Sequence, residues 1–104
     1  MHIIIVGGGG VGAALAKLLS NENQDVVIIE QNQEIVRYLN EEIDGLVKCG
    51  NGAYAAVLEE AGIKNAEMLI AVTEIDEVNM IACMIAKKYN VPVTVARVRN
   101  PEYY

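Results

Sequence analysis

Three glycines, Gly7, Gly9 and Gly12, stand in the spacing G-x-G-x-x-G within Gly7-Gly8-Gly9-Gly10-Val11-Gly12. The run follows the apolar stretch His2-Ile3-Ile4-Ile5-Val6 and leads into Ala13-Ala14-Leu15-Ala16-Lys17-Leu18-Leu19. That order predicts a glycine turn between a buried strand and a helix, with the helix N–H groups facing the turn. Such N–H groups and the positive end of the helix dipole attract a phosphate. Where the ligand is a pyrophosphate, the first glycine makes the tight turn and the second admits close backbone approach. The third lets the helix pack against the strand. Gly8 and Gly10 are extra to that spacing. Each adds freedom that ordering removes, about 0.5–1 kcal/mol relative to alanine in regular structure. The loop is therefore expected to be mobile when empty and ordered by ligand.

A second group able to do chemistry lies at the end of the next apolar run, Val26-Val27-Ile28-Ile29-Glu30. Glu30 falls about 20 residues beyond the glycines, where a strand-tip carboxylate accepts hydrogen bonds from ribose hydroxyls. The same carboxylate repels a 2′-phosphate, and Gln31-Asn32 supplies no arginine to bind one. NADP is therefore disfavoured relative to NAD or a plain adenine nucleotide. Later strand ends contribute Gly50-Asn51-Gly52, Thr73-Glu74 and Arg97. Asn51 could read an adenine edge or serve its own turn. Thr73 could touch a phosphate or ribose, or cap the following helix. Arg97 could reach a phosphate, pair with a carboxylate such as Glu74, or make a subunit contact.

These groups need elements that bring them to one edge. Strands are expected at His2–Val6, Asp25–Glu30, Gly45–Cys49, Met68–Val72 and Pro92–Val98. Helices are expected at about 11–20, 33–43, 53–61 and 76–89, with Asn32 capping the second and Gly62 ending the third. The last helix should bury Val78, Ile81, Ala82 and Ile85, leaving Met80, Cys83 and Met84 as a candidate subunit contact. Near-continuous apolar strands imply a parallel sheet covered on both faces. Right-handed crossovers then give a doubly wound α/β fold, Rossmann-like, in strand order 3-2-1-4-5. The fifth strand is left at an edge.

With 104 residues the chain is expected to be a single domain, and it is 53% hydrophobic without Phe or Trp. A formal charge of −6 argues against nucleic acid or an anionic membrane surface as partner. No apolar stretch reaches the ~18 residues of a membrane helix. Cys49 and Cys83 form no C-x-x-C, suggesting reduced thiols and a cytosolic setting. The one histidine, His2, is expected to be structural. Glu74, Asp76 and Glu77 could attract a divalent cation, but they better suit the favourable negative first turn of a helix. No metal cluster, Y-x-x-x-K pair or Ser/His/Asp set is present in the pattern, so no catalysis is expected.

Taken together, these residues resemble the N-terminal nucleotide-binding (RCK/TrkA-N type) domain of Trk/Ktr potassium-uptake regulators. The likeness covers essentially the whole chain. It rests on Ile3-Ile4-Ile5-Val6-Gly7 with the glycine loop, Ile28-Ile29-Glu30, Gly50-Asn51-Gly52 and Leu69-Ile70-Ala71-Val72-Thr73. Asn79 and Ala96-Arg97-Val98-Arg99-Asn100-Pro101 are its most specific part. The resemblance implies a cytoplasmic, non-catalytic sensor of NAD(H), or of ATP, ADP or AMP. It implies a homodimer or larger ring beneath a potassium-translocating membrane subunit. By correspondence Gly7 to Gly12, with Val11, would hold phosphates, and Glu30 the ribose. Asn51 and Gly52 would lie on the adenine side, with Thr73, Glu74 and Arg97 on the remaining rim. Many relatives have Asp in place of Asn51. Some ATP-responsive ones have Arg in place of Gly10, which tilts this chain toward NAD(H). Relatives also continue further, so the chain is expected to be the N-terminal part of a longer one. The rival expectation is the cofactor-binding half of an NAD-dependent dehydrogenase.

Overall fold

Four consecutive β-branched residues are buried together only where both faces of a strand are covered. Ile3, Ile4, Ile5 and Val6 are each at most 1% exposed in β1 (His2–Val6), which lies at the centre of the sheet. The computed structural model describes all residues from Met1 to Tyr104. β2 is Asp25–Glu30, β3 Leu46–Cys49, β4 Met68–Ala71 and β5 Val93–Ala96. All neighbours pair in parallel in the order β3-β2-β1-β4-β5, as the alternation of apolar runs predicted.

The helices are α1 (Gly10–Asn21), α2 (Gln33–Glu42), α3 (Ala55–Glu60) and α4 (Asp76–Lys88). Alternation along β1 divides the core in two. Ile3 and Ile5 join Val26, Ile28 and Ile70 beneath Ala16, Leu39 and Ile43 of the α1–α2 side. Ile4 and Val6 join Val27, Ile29, Leu69 and Ala71 beneath Leu58, Ala82 and Ala86 of the α3–α4 side. Each fully buried isoleucine or leucine contributes about 1.5–3 kcal/mol by leaving water.

Local signals explain most boundaries. Asn32 caps α2, its Oδ1 accepting from the N–H groups of Glu34 at 2.9 Å and Ile35 at 3.3 Å. Gly62 follows α3 with φ +90°, the left-handed geometry that ends a helix. α3 is shorter than expected, because residues 51–54 are taken up by a turn in which Tyr54 N–H bonds to Asn51 O. Ile81 is a correction: it is 43% exposed, whereas the buried residues of α4 are Asn79, Ala82 and Ala86. Met84 is also exposed, while Cys83 packs against the core and Met80 is half-buried. His2 is held at the far end of β1 by Asp25 Oδ2 and Ala61 O, each at 2.9 Å, a structural role.

The chain beyond β5 folds back on the start of α4. Asp76 accepts from the backbone N–H groups of Arg99 and Asn100 at 3.0 and 2.8 Å. Arg99 Nη1 lies 2.7 Å from Glu74 Oε2, and the Tyr103 hydroxyl donates to Glu77. Asn100 and Pro101 open a short 3-10 turn over Pro101–Tyr103, with Asn100 Oδ1 accepting from Glu102 N–H. The acidic run thus serves this closure, and no group of His, Cys, Asp and Glu suited to a metal is assembled.

Candidate functional site: a cleft at the carboxyl edge of the sheet

Open parallel sheets place ligands beyond the carboxyl ends of their strands. A cleft of about 310 Å³ lies there, between the end of β1 and the ends of β2, β3 and β4. Seven of the sequence-predicted residues line it: Gly7, Gly9, Glu30, Asn51, Gly52, Thr73 and Glu74. Gly8 and Gly10 line an adjoining hollow between α1 and α2, which shares Gly9 and Ile35 with the cleft. Val11, Gly12 and Arg97 line neither. Sequence reasoning missed Ile29, Ile35, Ile75 and Val78, which make the apolar walls. Their signal lay in the motif flanks, where apolar residues counted only as core.

The glycines differ in what they permit. Gly7 has φ +109°, and a Cβ there would meet the Val72 carbonyl and Thr73 N at 3.0 Å. A Cβ on Gly12 would collide with the Gly7 carbonyl oxygen, so α1 starts directly against the turn. Gly8 is a correction to the reading that it is extra. A Cβ there would lie 2.5 Å from Leu39 Cδ1 and 3.3 Å from Glu30, so the position is packed. Gly9 and Gly10 meet nothing within 4 Å, leaving their backbone open to approach. The first bond of α1 runs from Ala13 N–H to Gly9 O at 2.8 Å, and Gly9 caps without a side chain. The N–H groups of Gly10, Val11 and Gly12 precede that bond as donors at a helix start.

Glu30 ties the loop to β2. Its Oε1 accepts from Gly8 N–H at 2.7 Å and its Oε2 from Asn32 N–H at 2.8 Å. Each carboxylate oxygen has a second lone pair left for a hydroxyl. Across the cleft, Gly52 packs on Val6 with no room for a Cβ. Asn51 Oδ1 accepts from Ala53 N–H at 2.8 Å, the second of the two roles weighed for it.

The opposite wall is fixed by a buried amide. Asn79 is 0% exposed; its Oδ1 takes Thr73 N–H at 2.9 Å and lies 2.7 Å from the Thr73 hydroxyl. Its Nδ2 donates to Thr73 O at 3.1 Å and Arg97 O at 2.9 Å. Thr73 therefore does not cap α4, which starts after Ile75 without a side-chain cap. Arg97 Nη2 donates to the carbonyls of Val72 and Thr73, both at 2.8 Å, and lies 3.8 Å from Glu74 Oε1. Its charge bears on the end of β4, and Arg99 makes the closer pair with Glu74.

A doubly wound parallel sheet, with a glycine turn opening α1 and a carboxylate ending β2, defines a Rossmann-like domain of the nucleotide-binding kind. Within that class the chain belongs to the TrkA-N domain family, whose model matches residues 3–104. It is 46% identical over 104 residues to the Trk system potassium uptake protein TrkA of Vibrio alginolyticus, covering 99% of this chain and 23% of the relative. It is 42% identical over 103 residues to a TrkA homolog of Methanothermobacter thermautotrophicus, covering 99% of this chain and 48% of the relative. The chain thus spans about half or less of the curated relatives it matches. Among solved structures, the GsuK channel bound to NAD aligns with TM-score 0.81 at 24% identity, over 98% of this chain and 18% of that one. That likeness bears on the fold.

Proposed function

We propose that this domain is the nucleotide-binding regulatory part of a potassium-uptake system and takes NAD(H) in the cleft. ATP, ADP or AMP is the alternative ligand class, and NADP is disfavoured. The observation that carries this reading is the cleft itself, where open backbone donors, a strand-tip carboxylate and an apolar slot follow one another. The N–H groups of Gly9 to Gly12, with Val11, meet the phosphates, and Glu30 meets the ribose. Asn51, Gly52 and Ile35 border the base, while Thr73 and Glu74 form the remaining rim, braced by Arg97 behind them. The potassium role is supported by what the related proteins are called. The domain works without catalysis, as a homodimer or ring at the cytoplasmic face of a potassium-translocating membrane subunit. It uses neither nucleic acid nor its own membrane insertion, and no helix in it is long and apolar enough to cross a membrane. The rival reading, the cofactor-binding half of an NAD-dependent dehydrogenase, would be favoured by turnover of a hydroxy acid or amine with NAD.

The test is a thermal-shift panel of NAD, NADH, NADP, ATP, ADP and AMP. A ligand at 100 times its dissociation constant stabilises by about 2.7 kcal/mol. For a domain of this size that is a shift of roughly ten degrees or more. Absence of any shift removes the sensor reading. Glu30→Gln should cut the preference for NAD over NADP at least about tenfold, because a carboxylate no longer opposes the 2′-phosphate. A preference that survives would show that Glu30 does not sit at the ribose.

A further inference from the structure

We propose that Asn51-Gly52 is a self-modifying site: when its turn opens, the Gly52 backbone nitrogen displaces ammonia from the Asn51 amide and leaves a carboxylate in the cleft wall. It is the only Asn-Gly pair in the chain. Two demands of the fold put these residues side by side. A Cβ at position 52 would collide with Val6 Cγ1, so the buried Gly52 has no room for a side chain. Asn51 begins a turn with two bonds, its carbonyl accepting from Tyr54 N–H at 3.1 Å and its Oδ1 from Ala53 N–H at 2.8 Å. A short side chain with an acceptor oxygen suits that second bond. The reactive pair is thus a by-product of packing at one residue and turn chemistry at the other.

The chemistry needs water and nothing else. Gly52 N gives up its proton and bonds to Asn51 Cγ, closing a succinimide ring. The Cγ–Nδ2 bond breaks, and the amide nitrogen leaves as ammonia with the proton balance taken from Gly52. Water then opens the imide at either carbonyl. One opening gives aspartate at position 51; the other gives isoaspartate, with the main chain carried through Cγ. A glycine nitrogen suits this attack because no Cβ beside it restricts the approach or the backbone rotation. Ring closure draws Cγ to bonding distance of Gly52 N, which re-aims Oδ1 and turns the main chain between the two residues. It therefore costs the bond to Ala53 and loosens the one to Tyr54, so reaction waits on local opening. The product sets a second carboxylate in the cleft that Glu30 already lines. The modification stands or falls independently of what the cleft binds.

The test is peptide mapping after incubation of the chain at mildly alkaline pH, folded and in urea. Trypsin releases Cys49–Lys64, in which Asn51 is the only side-chain amide. From the folded chain this peptide should gain the mass of an amide turned acid sooner than any peptide bearing another asparagine. It should split into two products of one mass, aspartyl and isoaspartyl, since the imide opens at both carbonyls. In urea the conversion should run at least about tenfold faster, as expected when two hydrogen bonds no longer hold the turn. Aspartate without isoaspartate would mean direct hydrolysis by water and overturn the attack by Gly52. Conversion in the folded chain no faster than at other asparagines overturns the site. Equal rates in the two states overturn the gating by the turn, and the proposal with it.

Discussion

Replacing Asn79 with leucine removes one amide that serves three elements, and the cost can be worked from its partners. Thr73 N–H and the Arg97 carbonyl lose their protein partners, at 2.9 and 2.9 Å respectively. The Thr73 carbonyl keeps a donor in Arg97 Nη2 at 2.8 Å, so it is not orphaned. Two stranded backbone groups cost about 1–3 kcal/mol each, or roughly 2–6 kcal/mol together. Leucine's extra apolar contact offsets a part. The expected loss is then a large share of the ~5–15 kcal/mol stability of a small domain. It should lower the melting temperature by about 10 °C or more. Urea unfolding at pH 7 measures it directly. A loss below about 1 kcal/mol would refute the network, because it would mean that water or rotated groups replace the amide. Asn79→Asp adds a signature that packing alone cannot produce. Aspartate would face two carbonyls with an oxygen and so prefers its protonated form in the fold. Its pKa is then raised above the unfolded value, and the folded state binds more protons than the unfolded one between the two. The variant's stability should therefore fall as pH rises through that interval, and recover as pH is lowered. A variant whose deficit is independent of pH would place the aspartate in solvent.

Two neighbouring glycines should behave in opposite ways. Gly10→Ala adds a methyl where nothing lies within 4 Å, at the first residue of α1, and should change stability by less than about 1 kcal/mol. Gly12→Ala drives its methyl into the Gly7 carbonyl and should cost about 3 kcal/mol or more, as urea midpoints would show. The closure on α4 should loosen in acid. Hydrogen bonds from Arg99 and Asn100 N–H hold the Asp76 carboxyl below its ordinary value, chiefly the bond from Arg99. Its contribution is present above the unfolded aspartate value of about 3.9 and is lost as pH falls through the lower folded value. Carbon-detected NMR should find Asp76 titrating below 3.9, with the Arg99 and Asn100 amide shifts following the same curve. A midpoint at or above 3.9 would show that the closure does not form in solution.

How much of this was legible in the sequence differs by kind of interaction. The sheet was, because Ile3 to Val6 and Val26 to Ile29 leave no polar side to face water, and parallel connections follow one hand. Most predicted site residues came together for the same reason, since strand ends define the ligand edge. The face of α4 was misread by about a quarter turn. Periodicity counts apolar residues only, and so it skipped Asn79 and rotated the stripe toward Ile81. A buried amide is visible only once its four partners are in place. The closure of residues 97–104 was missed because charges at Glu74, Asp76 and Arg99 carry no periodicity at all. Asn100-Pro101 was its one local signal, a capping residue before a proline fixed in helical φ.

The glycine loop shows where spacing stops being informative. G-x-G-x-x-G assigns Gly7, Gly9 and Gly12 one motif, yet the fold gives them separate physical reasons. Gly7 needs its positive φ, and Gly12 needs to be small for α1 to meet the turn. Gly9 has space around it and caps α1, so packing does not require its lack of a side chain. Gly8 stands outside the motif but is packed, with Leu39 on one side and Glu30 bonded to its N–H. That bond ties the Glu30 carboxylate and the glycine loop into a single unit. Gly9 and Gly10 are the two loop positions at which an added side chain would meet nothing within 4 Å.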